Sequence, residues 1–184
     1  DIRELIFNIM DDVDRTKFLK NIVSASKNFK RKFIHILTDI DDTLFSSWKL
    51  YHCIAGRDWS WVPKVPYPGI SKFYQMFYNK QPFDILKYTT ILSATPLFLK
   101  SHRLHKQLII DIIGENFGFI QGKDSALECI TDVAKSIIRR KGIAPYAESI
   151  AKTKYDKCLQ YSQIFPEYQL FFIGDNGQGD YLAG

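Results

Sequence analysis

The chain has 184 residues, enough for one domain with a real hydrophobic core and not comfortably enough for two. Apolar residues make up 46% and charged residues 24%, so the chain is neither disordered by composition nor collagen-like, and its apolar runs fall well short of the roughly 18 residues a membrane-spanning helix needs. The formal net charge of +5 suits an anionic substrate or surface without requiring one, and no nucleic-acid partner is expected from it.

The opening DIRELIFNIMDD lacks the basic-then-apolar layout of a secretory signal. The chain starts without Met and stops at Gly184, just past a motif, as a piece of a longer protein would. Cys53, Cys129 and Cys158 are odd in number, scattered and without a CxxC pair, which predicts unpaired thiols in a reducing, cytoplasmic setting.

Leu5, Ile6, Ile9, Met10 and Val13, then Phe18, Leu19, Ile22 and Val23, recur at three- and four-residue steps and predict a helical extension over 1–32. The basic run Lys27 to Lys32 closes it as a solvated link. FIHILTDI (33–40) is short, apolar and bounded by charge, so it predicts a buried strand. Residues 44–66 are rich in Trp, Tyr and Pro and predict an irregular flap, with Trp48, Trp59 and Trp61 packing inward.

Pro68-Gly69 opens a helix through Ile70, Phe73, Tyr74 and Phe77. A second strand is expected at 88–93, a helix at 97–112 and a short strand at FGFIQG. Amphipathic helices are expected over 124–141 and 146–163, the first within a small insert at about 123–150, and a last strand over 168–173. Strands alternating with helices predict an α/β fold: a three-layer, Rossmann-like parallel sheet with helices on both faces and small cap insertions. Such folds bind ligands beyond the carboxyl ends of their strands.

Three predicted strands end in polar clusters: Asp39-Ile40-Asp41-Asp42-Thr43, Ser93-Ala94-Thr95-Pro96 and Gly174-Asp175-Asn176-Gly177-Gln178-Gly179-Asp180. Two carboxylates at i and i+2 past a strand can point into one pocket while Ile40 packs away. One carboxylate can attack phosphorus, and a second, protonated, can donate to the leaving oxygen. Crowded carboxylates repel, and a cation relieves the repulsion; an all-oxygen set suits Mg²⁺ over Zn²⁺. Ser93 or Thr95 can bond a phosphate oxygen, and Lys152, Lys154 or Lys157 can supply positive charge.

These elements, in this order, resemble the haloacid dehalogenase superfamily of phosphohydrolases. DIDDT, VPYPGI before a helix, ILSATP at a strand, and TKYDKCLQYSQIFPEYQLFFIGDNGQGD narrow the likeness to the catalytic domain of actin-patch-associated phosphatidate phosphatases, from about Phe33 to Asp180. The resemblance implies a catalytic domain over 33–184 and a Mg²⁺-dependent phosphatase working through an aspartyl phosphate. It implies Asp39 as nucleophile and metal ligand, Asp41 as general acid/base with its carbonyl on the metal, and Lys154 as the catalytic lysine. Ser93, with Ala94 beside it and Thr43 steadying the loop, would bind the phosphate. Asp175 would ligate Mg²⁺ directly, and Asp180 would be the outer carboxylate of the metal set, orienting water or the lysine. Thr153 stands where the family has histidine, and Asn176 where serine is common.

The implied substrate is a phosphomonoester, phosphatidate or another lipid phosphate, with peripheral membrane contact. Two other readings stand beside this one: a non-catalytic phosphate- or membrane-binding module, and a phosphoprotein phosphatase of the same superfamily. His102 and His105 share a helix without the further ligands a zinc site needs. The basic cluster at Lys135, Arg139, Arg140 and Lys141 is expected to compensate a helix dipole.

Overall fold

The computed structural model describes residues 2–29, 33–46, 65–79, 89–93, 102–115, 117–121, 144–176 and 179–184. Its elements in chain order are α1 (Ile2–Glu4), a π-helical turn (Leu5–Ile9), α2 (Asp12–Ser26), β1 (Phe33–Thr38), α3 (Ile70–Asn79) and β2 (Thr89–Ser93). They continue with α4 (His102–Ile113), β3 (Phe117–Gln121), α5 (Ala144–Ile164), β4 (Tyr168–Ile173) and α6 (Asp180–Ala183). Most of the expected flap, the helix expected at 124–141 with its basic cluster, and residues 30–32 of the first basic run fall outside the described residues.

The four strands form one parallel sheet in the order β3-β2-β1-β4. The chain is thus α/β, a parallel sheet flanked by helices. β1 lies in the middle and pairs Thr38 with Ile91 of β2 on one side and with Ile173 of β4 on the other. This register brings the carboxyl ends of β1, β2 and β4 to a common edge.

Side chains alternate across a strand, and here each set meets different helices. Ile36 of β1, Ile91 of β2 and Phe117 and Phe119 of β3 pack with Tyr74 of α3 and Ile109, Ile112 and Ile113 of α4. The intervening His35 and Thr90 meet Tyr161 of α5 on the other face. β1 and β2 are almost wholly buried, as the continuous apolar runs of a doubly covered parallel sheet predict.

The N-terminal helices ride on α5. Asp11 caps α2, its Oδ1 accepting from the N–H groups of Val13 and Asp14 at 2.9 Å each. Arg15, Leu19, Ile22 and Ser26, at three- and four-residue steps, are the half-buried stripe of α2. Arg3 is buried and donates through Nη1 to Gln160 Oε1 of α5 at 3.2 Å. The expected continuous opening helix is therefore broken at Met10, whose extended backbone separates the π-helical turn from the Asp11 cap. No helix among the described residues is long and apolar enough to cross a membrane.

Candidate active site

Asp39 is the first residue past β1, and its N–H closes the sheet by donating to Ile173 O at 2.9 Å. The chain then turns at once: Leu44 N–H reaches Ile40 O, and Asp42 N–H reaches Phe45 O, both at 2.9 Å. Asp42 takes a left-handed φ of 59°, a conformation that aspartate tolerates better than most side chains. Residues 65–67 lie along this loop, through Ser46 N–H to Val65 O and Tyr67 N–H to Leu44 O, each 3.1 Å.

Lys154 reaches the loop from α5. Its Nζ lies 3.1 Å from Asp39 Oδ1 and also bonds Asp180 Oδ1. All three residues are almost fully withdrawn from solvent: Asp39 is 4% exposed, Lys154 2% and Asp180 2%. Buried charges persist when paired and hydrogen-bonded, which is what one ammonium between two carboxylates achieves.

Asp180 is brought in by two glycines. Gly179 takes a φ of 88° and lets the chain turn into α6. At Gly174 a Cβ would sit 2.9 Å from Asp180 Cγ, so only glycine leaves room for that carboxylate.

The electrostatics are dominated by burial. Burial pushes the Asp39 carboxyl up to about 7; Lys154 pulls against this, and the negative charges of Asp180 and Asp41 add to the push. Asp180 is also raised by burial, with Lys154 opposing and Asp175 adding. For Lys154 burial alone would lower the pKa, but Asp39 and Asp180 outweigh it and hold the ammonium protonated. One turn along α5, burial pushes the free, half-buried Cys158 thiol up to about 11.

The structure thus brings Asp39, Lys154 and Asp180 into direct contact, with half-buried Asp41 and Asp175 close enough to act on them electrostatically. Of the candidate lysines, Lys152 is exposed, Lys157 is buried on α5, and Lys154 pairs with Asp39 and Asp180. Ser93 ends β2, buried, two residues beyond the partner of Thr38. Thr43 lies in the loop after Asp39, half-buried. Ala94 and Thr95 lie outside the described residues. Among the described residues, no three His, Cys, Asp or Glu side chains gather into a group that could hold a metal ion as they stand.

Sequence reasoning passed over Thr38 and Tyr74. Tyr74 OH donates to Thr38 Oγ1 at 2.8 Å, and Thr38 Oγ1 donates to the Asp39 carbonyl at 3.0 Å. Tyr74 sits on an ordinary apolar stripe and Thr38 inside a strand, so no local pattern marks either. Comparison with known proteins finds no family model, no curated protein and no solved structure that matches the chain, and the chemistry of this site is read from its geometry.

Proposed function

We propose that this chain is a Mg²⁺-dependent phosphohydrolase of the haloacid dehalogenase type, acting on a phosphomonoester. The observation that carries the reading is the buried Asp39–Lys154–Asp180 chain at the carboxyl edge of a parallel sheet. A charged cluster of this kind costs desolvation energy, and such costs concentrate at functional sites.

The donor set fits a hard cation. Lys154 is shared by Asp39 and Asp180, and the Asp39 carboxyl is held up to about 7 by burial first, with the negative charges of Asp180 and Asp41 adding to the push. Asp39, the Asp41 carbonyl and Asp175 would hold the ion, while Asp180 is already engaged by Lys154. When bound, Mg²⁺ supplies charge compensation for a phosphoryl dianion.

The residues then divide the work. An Asp39 carboxylate oxygen attacks phosphorus in line, and the bond from phosphorus to the ester oxygen breaks. Asp41, protonated, gives its proton to the departing alkoxide. Lys154 favours the ionised form of Asp39 and orients it, and Asp180 keeps Lys154 in place. Asp41, now a carboxylate, takes a proton from water, whose oxygen attacks the aspartyl phosphate and regenerates Asp39.

The test is phosphate release from para-nitrophenyl phosphate and from phosphatidate, with and without Mg²⁺, for wild type and Asp39→Asn. Mg²⁺-dependent release that vanishes in the variant is expected, and the ratio of the two rates separates lipid from soluble substrates. Folded wild type that binds Mg²⁺ but releases no phosphate from either would overturn the hydrolase reading in favour of a binding module.

A further inference from the structure

Tyr74 lies on α3, on the face of the sheet opposite the helix that carries Lys154. It is fully buried, as is Thr38. Its hydroxyl donates to Thr38 Oγ1 at 2.8 Å, which leaves the Thr38 proton to point at the Asp39 carbonyl, 3.0 Å away. The Asp39 N–H is already taken by Ile173 O at 2.9 Å. Both sides of Asp39 are therefore fixed, its N–H by β4 and its C=O by the hydroxyl pair.

The second fixing is not provided by the sheet. The Thr38 hydroxyl is a rotor with one proton and could turn that proton toward either neighbour. By donating to Thr38 Oγ1, Tyr74 occupies a lone pair and leaves the Thr38 proton to the Asp39 carbonyl. The peptide unit so held runs on to the Ile40 N–H, which favours the ionised Asp39 carboxylate. A tilt of that peptide would move the carboxylate relative to Lys154.

We propose that Tyr74 is a positioning residue: through Thr38 it locks the Asp39–Ile40 peptide, and so aims the Asp39 carboxylate. As a statement about turnover this rests on the hydrolase reading above; as a statement about the peptide it does not. Tyr78, one turn further along α3, provides a matched control. Its hydroxyl bonds Thr89 Oγ1 on the same face, away from Asp39.

The experiment compares wild type, Tyr74→Phe, Thr38→Val, Thr38→Ser and Tyr78→Phe by two readouts. The first is the Ile40 amide, by ¹⁵N shift and hydrogen exchange, because a bond to a carbonyl is felt by the next residue's nitrogen. The second is kcat and KM for para-nitrophenyl phosphate with Mg²⁺. Tyr74→Phe and Thr38→Val are expected to shift the Ile40 resonance and speed its exchange about tenfold, the weight of one buried hydrogen bond. They should lower kcat about tenfold with KM within about twofold. Thr38→Ser, which keeps the hydroxyl, and Tyr78→Phe should stay near wild type in both readouts.

An unchanged Ile40 amide in Tyr74→Phe overturns the proposal. So does a shifted amide with unchanged kcat in an active enzyme. If wild type releases no phosphate, the hydrolase reading fails alone, and the Ile40 amide still decides whether Tyr74 holds the peptide. Should Tyr74→Phe not fold, Thr38→Val against Thr38→Ser makes the same distinction.

Discussion

Lowering the pH should loosen the fold through His35, independently of the Asp39 and Asp180 carboxylates. His35 is 3% exposed, its ring stacked between Tyr168 at 4.9 Å and Tyr161 at 5.3 Å between centroids. Its Nε2 lies 2.9 Å from Thr90 Oγ1 and 3.1 Å from Tyr161 OH. Burial pushes its pKa down from 6.5 to about 4. Below pH 6.5 the unfolded chain takes up a proton that the folded chain refuses, so stability falls as pH drops and stops falling near pH 4. That displacement corresponds to about 3 kcal/mol of stability, fully present above pH 6.5 and lost by about pH 4.

Asp39 runs the other way. Its folded-state pKa of about 7 lies above the ordinary 3.8, so its contribution is present below 3.8 and lost as pH rises through 7. The two slopes overlap, and only a difference isolates His35. Urea unfolding of wild type and His35→Phe at a series of pH values between about 7.5 and 4.5 provides that difference, with the m-value checked at each point. Phenylalanine keeps the stack but cannot titrate. The gap between the two proteins should shift by about 2–3 kcal/mol across the series, wild type losing ground toward acid. Parallel curves would refute the reasoning and place the acid sensitivity elsewhere.

Two further outcomes follow from the charged cluster. Lys154→Met should cost about 3–5 kcal/mol at pH 8, because Asp39 and Asp180 lose their shared partner. The loss should shrink at pH 5, where the carboxylates can take protons, and an equal loss by urea unfolding at both pH values would contradict the pairing. Gly174→Ala should cost about 1–3 kcal/mol, since the new Cβ forces Asp180 away. It should also lower phosphate release by displacing Asp180 from Lys154; thermal melts and steady-state rates on the same preparation check both effects.

The strands were the most legible part of the fold. FIHILT, TTILS and YQLFFI are short apolar runs, and the pairing of Thr38 with both Ile91 and Ile173 brings their carboxyl ends to one edge. The polar residues that follow such runs had one edge on which to meet, so the aspartates stood out before any coordinates. Composition and charge leave Lys152, Lys154 and Lys157 open, and helix phase separates the first two: Lys154 shares a buried face with Ile150, Ala151 and Lys157, whereas Lys152 is exposed.

What escaped sequence reading was non-local. The Tyr74–Thr38 bond joins residues 36 apart, and nothing at either position asks for the other. No local pattern marks His35 within its apolar strand, yet its Nε2 meets Thr90 and Tyr161 on the opposite face. The short helix Asp180–Ala183 was hidden because its start depends on Gly179 adopting a left-handed backbone.

One helix ties both halves of the site's support together. Tyr161, against His35, and Lys154, against Asp39, stand seven residues apart on α5, close to two full turns, so they project from nearly the same side. The aromatic end thereby acts as a keyway for the charged end. Inserting or deleting a single residue between them would rotate one against the other by about 100°. Either the stack or the ion pair would then be lost, whatever residue was added. That interval can vary in side chains but not in length, and substitutions there should be far better borne than any change in spacing.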